Sequence, residues 1–409
     1  MGFKSDLFSG FIAKILFSAT LFLVNVLIAR AAGAAGSGDF FYIINNLSVI
    51  VLLSGLSLES GISYFLSKQK IKEGDAVVLS SIWSAGSALL VSGCILLIPG
   101  FFSGYTGPVF WPSVFFIAGN LLIAFFSGIG YAKKSFLWPQ LAPALGNMII
   151  IFYCSHIIYY REKADPEMLM LVFTGSYLAA GLLLAFVFFG RNTISTLHTG
   201  GIKIVFRIII RYALIAFAAN LAAFLMYRID YWILESYKPT LISDAALGNY
   251  IQVAKLVQLF LFIPTVLATV IFPHTATGKL AGQPAVIKKS LVRLLSLNVL
   301  IIGVLLMTGR WLFTYIFGPD FSDMYTCFVY MSPGILAITC VRVLASYFAG
   351  LNQVQLNLAG TLLALGLIIA LNFLLIPHWG INGAAFADSI GYMVYLFFLY
   401  RHFSKNNRV

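Results

Sequence analysis

Twelve apolar runs, each roughly 19–27 residues long, follow one another along the chain with little sequence between them. A helix rises about 1.5 Å per residue, so each run is long enough to cross the ~30 Å hydrocarbon core of a bilayer. Inside that core every backbone N–H and C=O must find its partner within the protein, and a helix supplies all of them by itself. The runs cover residues 8–31, 42–66, 77–98, 109–131, 136–159, 168–189, 208–234, 247–272, 291–309, 325–348, 357–376 and 381–400. Pro99-Gly100, Asp165-Pro166, Pro273, Gly318-Pro319 and Pro377 fall at or near their ends. Only 10% of residues are charged and 60% are hydrophobic, against about 25% charged in a soluble domain. Mean hydropathy is +0.95. These values exclude disorder, collagen, coiled coil and an ordinary soluble enzyme. The chain is expected to be an all-α polytopic membrane protein with twelve transmembrane helices.

The first run lacks a small-residue cleavage site after a short core, so it is expected to stay as a span. Cys94, Cys154, Cys327 and Cys340 all lie in apolar runs and read as packing residues. No P-loop, dinucleotide-binding glycine run or zinc cluster is present, and the loops leave no room for an extramembrane catalytic domain. Neither a cofactor nor a metal is expected, and the chain does not read as an enzyme.

Lysine and arginine are distributed unequally between the two sets of connections: 17 lie on one side and 5 on the other. By the positive-inside rule both termini are expected in the cytoplasm. The same bias accounts for the net charge of +12, so the basicity implies no nucleic-acid partner.

Two sequence echoes suggest an internal repeat. Gly38-Asp39-Phe40 opens the second run and Gly248-Asn249-Tyr250 opens the eighth, an offset of 210. Gly130 and Gly146 match Gly350 and Gly366 at an offset of 220. An even number of spans per repeat implies parallel repeats. The expected layout is two pseudo-symmetric six-helix lobes around a central cavity. Residues 1–190 would form the first lobe, 191–207 a cytoplasmic linker and 208–409 the second lobe.

The order of several short motifs carries a resemblance. Val26-Leu27-Ile28-Ala29-Arg30 with Gly33 is followed by Gly38-Asp39-Phe40 and by Gly61-Ile62-Ser63-Tyr64-Phe65. Tyr227-Arg228-Ile229-Asp230, Leu247-Gly248-Asn249-Tyr250, Ile263-Pro264-Thr265 and Gly380-Ile381-Asn382-Gly383-Ala384-Ala385 come after. Together they resemble polysaccharide flippases of the Wzx type, within the multidrug/oligosaccharidyl-lipid/polysaccharide exporter superfamily. The resemblance implies a MATE-like fold and a cell inner-membrane location. It also implies flipping of an undecaprenyl-pyrophosphate-linked oligosaccharide, an O-antigen or exopolysaccharide unit, by alternating access. The implied partners are that lipid-linked oligosaccharide, membrane lipids and polysaccharide polymerase machinery.

A charge near the centre of a membrane helix costs about 2.5–3.5 kcal/mol on insertion scales and needs a partner or a wet cavity. The candidates are Lys14, Glu59, Arg228, Asp230, Lys255, Arg342 and Asp388. Lys255 lies about eight residues into its run, too deep to snorkel easily, so it reads either as a phosphate contact or as half of an ion pair. Its repeat mate at the 210 offset is Asn45. Arg228 and Asp230 stand two apart and should point different ways on a helix. Lys14 and Glu59 read as an ion pair or as a substrate entry site, and Arg30 as a rim residue near Asp39. Asp388 reads as a partner of Arg228 or as a cation-coupling carboxylate. The substrate-binding candidates are therefore Lys255, Arg228, Lys14, Asn45 and Arg30. Glu59, Asp230 and Asp388 are candidates for ion coupling or structural pairing. A drug exporter of the same superfamily is the nearest alternative. An integral membrane polymerase or ligase fits less well, because its chemistry needs a sizeable outer loop.

Overall fold

A computed structural model describes residues 3–98, 100, 103–189, 201–238, 240–276 and 284–406. In it the chain forms α1 (Phe3–Gly55), α2 (Leu58–Ser67), α3 (Glu73–Leu97), α4 (Phe110–Ala132), α5 (Trp138–Tyr160) and α6 (Pro166–Phe188). It continues with α7 (Gly201–Ser236), α8 (Asp244–Phe260), α9 (Phe262–Ala276), α10 (Pro284–Phe317), α11 (Asp323–Gly350) and α12 (Val354–Asn406). No strand occurs among the described residues. Of the expected linker, residues 191–200 lie outside the described residues, and 201–207 form the first turns of α7.

Among the described residues, ten stretches are long and apolar enough to cross a membrane, and the first and last are 47 and 52 residues long. Straight helices of that length would measure about 70–80 Å, more than twice the ~30 Å core. Each is interrupted by a single glycine in the left-handed region: Gly33 in α1 (φ +70°) and Gly380 in α12 (φ +56°). Glycine enters that region without the steric penalty of a β-carbon.

The chain reverses at both corners. In α12, Tyr395 Oη donates to the Asn357 carbonyl at 3.0 Å. Gly391 lies against Ile368, and Gly383 against the Leu375 carbonyl. These pairs converge on Gly380 from both sides, as an antiparallel hairpin requires. Near α1, Gly10 lies against Phe136 and Gly128 against the Glu59 backbone. Both contacts fall at the junction of α4 and α5, so the chain enters and leaves by the same end. Counting two crossings for each long stretch recovers the twelve spans expected from the sequence.

The chain forms two compact units: Met1–Ala32 with Tyr42–Leu221, and Gly33–Phe41 with Ala222–Val409. The first has a core that includes Leu58, Ile62, Val77, Leu121, Phe125 and Ile209. Gly119 and Gly181 let α4 and α6 meet backbone to backbone, the close approach that small residues permit in membrane helices. In the second unit α11 packs against α8, α9, α10 and α12. Gly334 N–H donates to Ser389 Oγ at 3.1 Å, and that hydroxyl donates to the Tyr330 carbonyl at 2.6 Å.

The span expected to run unbroken over 42–66 is interrupted. α1 ends at Gly55, α2 begins at Leu58, and Leu56 (φ +48°) and Ser57 (φ +52°) are both left-handed. Side chains from two other helices hold the break. Trp83 Nε1 donates to the Ser54 carbonyl at 2.8 Å, and Asn220 Nδ2 donates to Ser57 Oγ at 3.0 Å. A backbone interruption at membrane depth needs such partners, because lipid provides none.

Candidate functional site

The second unit gathers most of the intramembrane charge. Asp230, on α7, is 1% exposed, and Asp388, on α12, is 3% exposed. The two carboxylates act on each other electrostatically. Tyr250, fully buried on α8, donates its hydroxyl to Asp388 Oδ2 at 2.7 Å. Its ring meets Tyr231 edge to face at 6.0 Å. Asp388 Oδ1 has no hydrogen-bond partner among the described residues, and the Tyr250 hydroxyl acts on Asp230 as well as on Asp388. A buried carboxylate oxygen without a donor is costly.

Arg228 points elsewhere than Asp230, as their i,i+2 spacing requires. It is half-buried, donates through Nη1 to the Tyr231 hydroxyl, and its guanidinium lies 4.9 Å from the centre of that ring. Lys255, half-buried on α8, sets its ammonium over the face of Phe41. Arg228 is its charged neighbour. Two cations backed by aromatic faces therefore share one region of this unit with the carboxylates, and Arg228 and Asp230 act on each other. An aromatic face attracts a cation through its ring quadrupole.

The other candidates are dispersed. In the first unit Lys14 is half-buried on α1 and Arg30 is exposed further along the same helix. Asn45 is buried, with no hydrogen-bond partner for Nδ2 among the described residues. Glu59 is half-buried in the first turn of α2 and accepts a 3.3 Å hydrogen bond from Ser60 Oγ. Arg342, in the second unit, is exposed on α11. The hydrogen bond that reaches Asp388 comes from Tyr250, not from Arg228.

A further charge cluster was not anticipated. Lys238 Nζ stands 2.7 Å from Asp244 Oδ1, 3.1 Å from Asp39 Oδ1 and 3.1 Å from Glu235 Oε2. One ammonium thus ties the end of α7 and the start of α8 to the Gly33–Phe41 corner. Burial lowers the affinity of Lys238 for its proton, but the Asp244, Glu235 and Asp39 carboxylates outweigh it and raise its pKa. The i,i+3 spacing of Glu235 and Lys238 was a visible signal. The Asp39 contact, nearly two hundred positions away in sequence, had none. Tyr250 stands in the Leu247-Gly248-Asn249-Tyr250 motif, but nothing in the sequence marked its hydroxyl as the partner of Asp388. Among the described residues no group of three His, Cys, Asp or Glu side chains could hold a metal ion.

No family model matches the chain, and no curated protein sequence matches it. Solved structures do. The lipid II flippase MurJ in an inward closed conformation superimposes with a TM-score of 0.75 at 14% identity, covering 98% of this chain and 89% of that one. An inward-facing multidrug resistance MATE family transporter of the MOP superfamily gives 0.68 at 15% identity, covering 97% and 96%. A MOP superfamily transporter from Pyrococcus furiosus, described as having a binding pocket of reverse polarity, gives 0.62 at 14% identity, covering 100% and 96%. The chain has the fold of these membrane transporters.

Proposed function

We propose that the chain is an inner-membrane flippase for an undecaprenyl-pyrophosphate-linked oligosaccharide, serving O-antigen or another polysaccharide of the cell surface, lipopolysaccharide included. The observation that carries this reading is the pairing of Lys255 with Arg228. Lys255 and Arg228 place two cations in one region of a membrane fold, and a pyrophosphate carries the compact negative charge that such a region can hold. The fold shared with a lipid II flippase supports the same cargo class. The sugar head crosses through a polar cavity while the lipid tail stays in the bilayer. Transport proceeds by alternating access, with both termini in the cytoplasm. Lys14, Asn45 and Arg30 are further headgroup contacts. Asp230 and Asp388 couple transport to a proton or a hard cation, since two dry carboxylates side by side require one or the other. Released units pass to polymerase machinery.

A drug exporter has the same fold and remains the second reading; the multidrug transporter among the similar structures supports it. Proteoliposomes separate the two. With a fluorescent lipid-linked oligosaccharide in the inner leaflet, the chain moves label to the outer leaflet and leaves ethidium distribution unchanged. Ethidium transport without movement of the glycolipid overturns the flippase reading.

A further inference from the structure

We infer that the basic end of the first unit, built by the start of α7 and the turn after α2, is a binding site for anionic phospholipid headgroups. Lys203, Arg207 and Arg211 recur every four residues on α7, and all three are exposed. That spacing places them one above another on a single helix face. The opposite face is anchored: Val205, Ile209 and Ala213 are buried in one core with Leu58 and Ile62. Ile209 sits where a side chain on Gly61 would be. The cationic row is therefore held by a packed helix and is not part of a loose tail.

A second set of cations flanks the row. The Tyr212 ring stacks on Tyr64 at 4.8 Å and 10°, and the Lys68 ammonium lies 4.7 Å from the centre of the Tyr64 ring. Lys70 and Lys72 are exposed in the same turn. Little nearby acid offsets them. Glu73 is already engaged by Lys133 at 2.6 Å, which leaves Asp75 in that turn.

The surroundings suit a lipid better than a soluble anion. α7 has 36 residues, about 54 Å of helix against a ~30 Å core. The excess places the charged first turns at headgroup level. Ile204 is 62% exposed and Tyr212 40% exposed beside the cations. Apolar and cationic side chains interleaved on one surface match the junction of phosphate and acyl chain. A free phosphate or nucleotide would leave that apolar surface in water.

This inference stands apart from the cargo. The test uses the full chain in neutral detergent, titrated with phosphatidylglycerol and followed by native mass spectrometry and thermal unfolding. The wild type retains phosphatidylglycerol and unfolds at a higher temperature with it. Near a membrane surface each Lys or Arg contributes on the order of 1 kcal/mol, so Lys203→Gln/Arg207→Gln/Arg211→Gln binds roughly 100-fold more weakly. Lys288→Gln/Lys289→Gln/Arg293→Gln removes the same charge from α10 and binds like the wild type. Arg207→Gln alone gives a graded loss and guards against misfolding of the triple variant. Equal losses in the two triple variants would reduce the effect to general surface charge and overturn the site. So would no loss in either, or a larger loss in the α10 variant. Equal competition by inorganic phosphate would overturn the lipid assignment.

Discussion

Gly38 and Gly248 pack against each other: a β-carbon on Gly38 would stand 2.9 Å from the Gly248 backbone nitrogen. A β-carbon on Gly248 would overlap the Ala34 carbonyl oxygen. These are the two glycines that head the matched motifs at the 210-residue offset. Gly248→Ala is expected to force α8 away from the Gly33–Phe41 corner. Overpacking of this kind costs about 1–3 kcal/mol. Thermal unfolding in detergent should show the loss, and a variant as stable as the wild type would mean the corner is loosely held.

Lys255→Ala should abolish glycolipid flipping while the protein still inserts and accumulates, because it removes one of two cations and leaves an apolar space. Lys255→Arg keeps the charge and should retain part of the activity. The measurement is the transport rate in proteoliposomes, normalised to inserted protein. Undiminished flipping by Lys255→Ala would remove this residue from the cargo path.

Tyr250→Phe preserves the ring contact with Tyr231 and removes the hydrogen bond to Asp388. Leaving that buried oxygen without a donor should cost about 1–3 kcal/mol. Asp388→Asn and Asp230→Asn test coupling more directly. If the pair binds a cation or proton, the wild type gains stability with sodium, at constant ionic strength, or with added acid, as any ligand of the folded state provides. Both asparagine variants should lose that response. A wild type indifferent to sodium and to pH would dismiss the coupling role.

Lys238 sets a pH dependence whose sign follows from its raised pKa. A lysine that binds its proton more tightly when folded contributes stability fully below its unfolded value, about 10.4, and loses it as pH climbs through the higher folded value. The contribution is therefore constant near neutrality and fades only in strong alkali. Lys238→Gln should destabilise by about 1 kcal/mol, a magnitude typical of partly exposed pairs, and less in high salt. Unfolding curves at low and high ionic strength, at neutral and alkaline pH, check each part.

The spans were legible because hydrocarbon imposes one requirement on every residue it touches, and a run of apolar side chains is its direct signature. The corners at Gly33 and Gly380 were legible as boundaries but not as single-residue turns, since the neighbouring residues give no local sign of how tightly the chain bends. The interruption at Leu56-Ser57 was invisible. Both residues suit a helix, and what holds them out of it is Trp83 and Asn220, which only the tertiary fold brings near. In the site, Lys255, Arg228, Asp230 and Asp388 stood out because charge is rare in membrane helices. Phe41 and Tyr231 did not, because they look like any other aromatic in an apolar run, and the motif that holds Tyr250 gave no sign of its bond to Asp388.

The single-residue corners have a consequence for how the protein enters the membrane. A corner of one glycine has no loop that could cross the bilayer separately from the helices it joins. The two limbs of α12, and likewise those flanking Gly33, are joined closely enough to enter the membrane as a helical hairpin, which would keep the polar backbone at each corner from crossing the hydrocarbon alone.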